Sequence, residues 1–146
     1  MSKLKFSLVL FLGLALVFTG CKTNDPDPQV LIVGKWDAIK ITSDSYEDGV
    51  KVNTATTTTF TGDDYLEFKS DGTVAFSSPG FIQNGTYNID GKGERLNVVY
   101  QGSTATQVID VRALTSSELI IHQELPPLVM QNKTHKTVLE GTYRKR

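Results

Sequence analysis

Past residue 30 the chain alternates apolar and polar residues with a period of two, in short runs broken by Gly, Asp and Ser. That period is the mark of half-buried strands. Ile32 to Thr42 is rich in β-branched residues and predicts a first strand. Tyr65 to Lys69 sets Leu66 and Phe68 on one face, and Thr73 to Ser77 does the same with Val74 and Phe76. Between them Ser70-Asp71-Gly72 is a turn signal. Gly85 to Asp90 aligns Tyr87 with Ile89, and Arg95 to Gln101 aligns Leu96, Val98 and Tyr100. Thr104 to Leu114 carries Gln107, Ile109, Val111 and Ala113 on one side. Glu118 to Leu125 and His135 to Lys145 complete eight strands, with no helix among them. Sequential strands joined by short turns pair antiparallel. Eight of them either close into an up-and-down barrel or stack as a sandwich, and closure removes the exposed edges. The expected fold class is all-β, an eight-stranded antiparallel up-and-down barrel.

In such a barrel the connections alternate between the two ends. Those after strands two, four and six are short: Ser70 to Gly72, Asp90 to Glu94, Thr115 to Ser117. Those after strands one, three and seven read as long: Ser43 to Asp64, Ser78 to Asn84, Pro126 to Thr134. Only Gly102-Ser103, after strand five, is a tight turn at the elaborated end. Long loops on a rigid scaffold are where binding residues concentrate. These hold Tyr46, Val50, Val52 and Phe60, then Phe81 and Ile82, then the apolar run Pro126 to Met130. Such side chains either fold down over the core or form a binding surface. The Thr-rich piece Thr54 to Thr61 is either a lid or an extra strand.

Ahead of the strands, Lys3 and Lys5 precede an apolar run from Phe6 to Phe18 that ends in Gly20-Cys21. A basic start, an apolar middle and a small residue at the cut are the layout of a secretory signal peptide, here a helix over residues 1–20. The run is too short to span a bilayer permanently. Gly20 before the only cysteine resembles the bacterial lipobox, although Phe18 stands where that pattern usually has Leu. The resemblance implies that Cys21 receives a diacylglycerol and further acyl chains, palmitate among them, and becomes the new N-terminus. Residues 21–30, with Asp25-Pro26-Asp27-Pro28, then read as a lipidated flexible tether. Acidic residues just after the lipidated Cys resemble the surface-export signals of Bacteroides-type lipoproteins. The implied location is the cell envelope, lipid-anchored at the outer membrane, on its periplasmic or surface face. Removal of residues 1–20 leaves thirteen basic and sixteen acidic residues, formally −3 against −1 for the whole chain. That balance offers no footprint for nucleic acid. With Cys21 acylated no thiol remains for a disulfide or a Cys-based metal site.

Residues 31–146 resemble the lipocalin-like family of small bacterial lipoproteins. Gly34-Lys35-Trp36 looks like the Gly-x-Trp start of lipocalins. Tyr65-Leu66-Glu67-Phe68-Lys69-Ser70-Asp71-Gly72-Thr73, Gly85-Thr86-Tyr87-Asn88-Ile89, Leu114 to Leu119 and Gly141-Thr142-Tyr143-Arg144 fit the same pattern in order. No Asp-rich motif of the true lipocalins is present. The resemblance implies an eight-stranded barrel holding a small apolar molecule. Its wall would be Leu66, Phe68, Val74, Phe76, Tyr87, Leu96, Val98 and Tyr100, with Phe60, Phe81 and Leu128 contributed from the long loops. It also implies that Gly34 and Trp36 are structural, Trp36 plugging the closed end. Arg144 or Arg146 would then stack on the Trp36 ring as a cation–π partner.

Catalytic chemistry finds no constellation. His122 and His135 lie on or beside the last two strands, where they would be cross-strand neighbours, with Glu124 or Glu140 as a third ligand. No metal-ligand spacing is present, and surface histidines are the expectation. No Gly-x-Ser-x-Gly elbow occurs. Asp63-Asp64 and Glu47-Asp48 read as turn acids. The expectation is a non-enzyme without cofactor or metal. Two readings remain. One is a membrane-tethered module binding a small apolar ligand. The other is a filled barrel that docks a protein or glycan, or inhibits an envelope partner, with the protein partner unspecified. The volume left inside the barrel decides between them.

Overall fold

The computed structural model describes residues 26–146. The expected signal peptide and the expected lipidation at Cys21 fall outside the described residues. Ten strands follow one short helix: α1 Pro28–Ile32, β1 Gly34–Glu47, β2 Val50–Thr57, β3 Tyr65–Phe68, β4 Thr73–Ser78, β5 Phe81–Ile89, β6 Arg95–Tyr100, β7 Gln107–Leu114, β8 Glu118–Glu124, β9 Leu128–Met130 and β10 Lys133–Lys145. Every pairing is antiparallel. Eight strands form a closed ring in the order β1-β3-β4-β5-β6-β7-β8-β10, sealed by β10 pairing with β1 from Trp36↔Lys145 up to Glu47↔His135. This is the expected eight-stranded barrel.

Its core follows the alternation. Leu66 and Phe68 on β3, Val74 on β4, Leu96 and Val98 on β6, and Ile109 and Val111 on β7 are all buried, with their neighbours turned outward. Burying each such side chain is worth roughly 1.5–3 kcal/mol. The short turns are held by aspartates. Asp71 Oδ1 accepts from the backbone N–H of Thr73 at 2.9 Å and from its hydroxyl at 2.6 Å, which holds the carboxyl below its ordinary pKa. Asp90 Oδ1 accepts from Glu94 N–H at 2.8 Å and is lowered in the same way.

The elaborated end is built differently from its expected loops. The first connection is largely a hairpin. β1 continues to Glu47, turns at Asp48-Gly49, and returns as β2, so the Thr-rich piece is strand up to Thr57. Asp48 (φ 48°) and Gly49 (φ 84°) both take positive φ, as a two-residue turn that matches strand twist requires. The expected long loop Ser78 to Asn84 does not exist. Ser78 pairs with Phe81 across a Pro79-Gly80 turn, and β5 starts at Phe81. The expected third long loop is another hairpin. Met130 pairs with Lys133 across Gln131 (φ 52°) and Asn132 (φ 63°). In contrast, residues 101–106 between β6 and β7 are longer than the expected Gly102-Ser103 turn.

β2 and β9 lie outside the barrel ring. Above the pair Val138↔Glu124 only β1, β2, β9 and β10 continue, as a four-stranded extension in the order β2-β1-β10-β9. Its surface is tied by charge. Lys51 pairs with Asp44 at 2.7 Å, Lys133 with Glu47, and Asp48 accepts from Thr134 N–H at 2.9 Å.

Pro28–Ile32, divided in the sequence reading between tether and first strand, is a helix. Asp27 caps it by accepting from Gln29 N–H at 2.9 Å, and Pro28 occupies its first position, where a missing N–H costs nothing. It lies at the end opposite the extension and buries Ile32 completely.

Candidate functional site

The closed end explains the Gly-x-Trp pair. Trp36 is fully buried, and its indole N–H donates to the Ile32 carbonyl at 2.7 Å, so helix and ring seal the barrel floor together. The cation over the ring is Lys145, not Arg144 or Arg146. Its ammonium stands 5.0 Å from the ring and donates to the Leu31 carbonyl at 2.8 Å. Strand alternation decides this. Trp36 pairs directly with Lys145, whereas Arg144 opposes Asp37 and is exposed. Arg146 instead forks onto Asp37, with Nε at 2.9 Å and Nη2 at 2.6 Å, and reaches the Gly62 carbonyl at 3.1 Å. Gly34 is required for two reasons. Its φ is 137°, and a Cβ there would stand 2.7 Å from Lys145 Cε, blocking the lysine's path to Trp36.

Above this floor the barrel encloses a cavity of about 170 Å³. Phe68, Phe76, Val98 and Tyr100 line it, with Leu66, Val74 and Leu96. The sequence reading missed the wall supplied by the later strands and β1: Ile41, Ile109, Ile121, Leu139 and Tyr143. Ile109 was placed on the correct face of its strand. The signal for Leu139 and Tyr143 was the same alternation, on β10, interrupted by Gly141.

Four candidates do not line the cavity. Tyr87 stands edge-on to Phe68, 4.9 Å between ring centres, and its hydroxyl donates to the Lys69 carbonyl at 2.9 Å. That pins it beside the β3–β4 turn, below the cavity. Phe60 packs against the core from the 58–64 segment joining β2 to β3. Phe81 is half-exposed at the tip of the β4–β5 hairpin, 6.4 Å from the Phe76 ring. Leu128 is on β9, in the extension above the rim, where no opposing wall exists, and it is exposed.

The cavity is apolar except for three groups: the phenols of Tyr100 and Tyr143, and Gln123 at its upper side. The Gln123 amide nitrogen donates to Gln107 Oε1 at 2.9 Å. Burial raises the Tyr100 phenol's pKa, and pushes that of Tyr143 up to about 12 with help from the nearby Tyr100. Both are therefore neutral donors at physiological pH. Larger hollows on the outer surface, such as that over Thr73, Asn84 and Gln101, are open to solvent.

His122 and His135 are not cross-strand neighbours. His122 opposes Glu140 on β10 and Asp110 on β7, while His135 lies five residues higher on β10, opposite Glu47 and Leu128. Among the described residues no group of three His, Cys, Asp or Glu side chains is placed to hold a metal. The carboxylate pairs are structural. Asp64 accepts from the Thr61 N–H at 2.7 Å and from its hydroxyl at 2.9 Å, and Glu47 and Asp48 serve the extension.

A family model described as a lipocalin-like domain matches residues 32–121. No curated protein matches the chain. Two solved structures of bovine odorant binding protein are similar to it. A deswapped triple mutant is 16% identical with a TM-score of 0.38, over 79% of this chain and 74% of that one. A complex with a selenium-containing odorant is 21% identical with a TM-score of 0.39, over 79% and 73%.

Proposed function

Because the chain belongs to the lipocalin-like domain family, we propose that it is a binding protein that holds one small apolar molecule inside its barrel. We also propose that lipid on Cys21 tethers it to a membrane of the cell envelope. The observation that carries the binding reading is the cavity of about 170 Å³ inside the barrel, walled by apolar side chains from seven of the eight barrel strands. An apolar cavity of roughly 150 Å³ is enough to hold benzene. Pockets for drug-sized ligands run to roughly 300–1,000 Å³. The ligand is accordingly of single-ring size, not a long acyl chain, and palmitate belongs with the proposed anchor rather than the barrel.

Titration of the folded protein with 2-phenylpropene, followed by backbone amide shifts, tests this. Saturable shifts at Val98, Ile109 and Leu139 are expected. They should vanish in Val98→Phe, which fills the space, and in Phe76→Arg, which charges its wall, with both variants still folded. A well-folded protein that binds nothing would overturn the reading.

A second reading is favoured by one observation. Val50, Val52, Ile82, Leu128, Val129 and Met130 are all more than half exposed, all at the end away from the floor. A barrel that takes up no ligand would give weight to docking of a protein or glycan there.

A further inference from the structure

We propose that the ligand is a neutral molecule with one hydrogen-bond acceptor, a carbonyl or ether oxygen, that Tyr143 is the residue that binds it, and that Gly141 makes this possible. The inference deepens the ligand-binding reading and rests on it.

Tyr143 lies on the inward face of β10, only 5% exposed, and lines the cavity. Two residues up the strand, on the same face, stands Gly141. A Cβ at Gly141 would sit 2.6 Å from Tyr143 Cε2 and 2.8 Å from its hydroxyl oxygen. The ring therefore lies over the glycine backbone and leans up the barrel, away from the floor. Any larger residue at 141 would drive the hydroxyl out of this position. Glycine is otherwise a poor strand residue, because it packs nothing and costs backbone entropy. Here it buys the phenol its place.

A buried donor needs an acceptor. The partly exposed Tyr87 hydroxyl already has one in the Lys69 carbonyl. Among the described residues the Tyr143 hydroxyl enters no side-chain hydrogen bond, and Tyr143 and Tyr100 line the same apolar chamber, so a molecule held there meets the phenol as a donor. The ligand should also be uncharged. The cavity wall contains no Lys, Arg or His, so a carboxylate would be desolvated without a counter-charge. A fatty acid would have to leave its carboxylate outside this chamber.

The test compares acetophenone with 2-phenylpropene, which replaces its carbonyl oxygen by a methylene at nearly constant shape. Their differing solubility in water cancels when each is compared across variants. Tyr143→Phe should weaken acetophenone roughly five- to tenfold, the loss of one neutral hydrogen bond, and leave 2-phenylpropene unchanged or tighter. Gly141→Ala, by displacing the phenol, should lose the same selectivity. Benzoate should not bind the wild type. In the unmodified protein, carbon-13 at Cζ of Tyr143 should shift with acetophenone and not with 2-phenylpropene, a readout that survives if a variant fails to fold. Equal effects of Tyr143→Phe on both probes, or no Tyr143 Cζ response to bound acetophenone, would overturn the inference while the cavity reading stands. Neither probe binding the wild type would bring down both.

Discussion

Tyr143 makes a prediction about stability that needs no ligand. Its phenol is pushed up to about 12 from an ordinary value near 10. Below pH 10 both folded and unfolded chains keep the proton, and the group contributes nothing to pH dependence. Between pH 10 and 12 the unfolded chain releases its proton while the folded one retains it. Stability must then fall as pH rises, by about 2–3 kcal/mol across that window. Urea melts at pH 9 and pH 11.5 should show this loss in the wild type and a smaller one in Tyr143→Phe. Some loss will persist, because burial raises Tyr100 as well. Equal slopes in the two proteins would mean that the Tyr143 phenol is solvated. Gly34 illustrates the same dependence of a residue on its partner. As a letter in the chain it is half of a family motif; in the barrel it is the gap through which Lys145 reaches Trp36 and Leu31.

Strands divide into those inside the ring and those hung on it. β2 has all eight residues exposed and pairs only with β1. β6 and β7 are paired on both sides and bury Leu96, Val98, Ile109 and Val111. Local opening is cheapest where little apolar surface is lost. Amide exchange of Ala55 and Asn53 should therefore be at least about a hundredfold faster than that of Val98 and Ile109, the difference of roughly 3 kcal/mol in opening free energy. Similar protection of the two sets would show that the extension folds as one unit with the barrel. The Asp44–Lys51 pair does little to prevent opening, because it is exposed.

For the molecule as a whole, the polarity of the barrel bears on the proposed anchor. α1 starts at Pro28, seven residues after Cys21, and lies at the floor. A tether of that length spans at most about 25 Å. The floor, with the Asp71 turn, should then face the bilayer, and the extension with Thr57 should point away. Single Cys labels at Thr57 and Asp71, in a background that retains Cys21, can be compared against a membrane-embedded quencher. Stronger quenching at Asp71 is the expected result. Stronger quenching at Thr57 would invert the orientation, and equal recovery of Cys21→Ser and the wild type in membrane fractions would remove the anchor.

Alternation along the chain was enough to place the eight barrel strands, because each buries one face and a slip of one residue would turn that face to water. It also identified the inward residues Leu66, Phe68, Val74, Phe76, Leu96, Val98 and Tyr100, whereas the Gly-x-Trp floor came from the family resemblance. The hairpins at the upper end escaped it. Phe81-Ile82 and Leu128-Val129-Met130 are exposed on both faces, so these stretches carry no period, and only pairing with β4 and β10 makes them strand. Register decided that Lys145 rather than Arg144 covers Trp36. Height along the barrel decided that Tyr87 and Leu128 leave the cavity wall. The availability of the Tyr143 hydroxyl was beyond any local pattern, because it depends on a missing side chain two residues away and on which carbonyls the closed ring brings within reach.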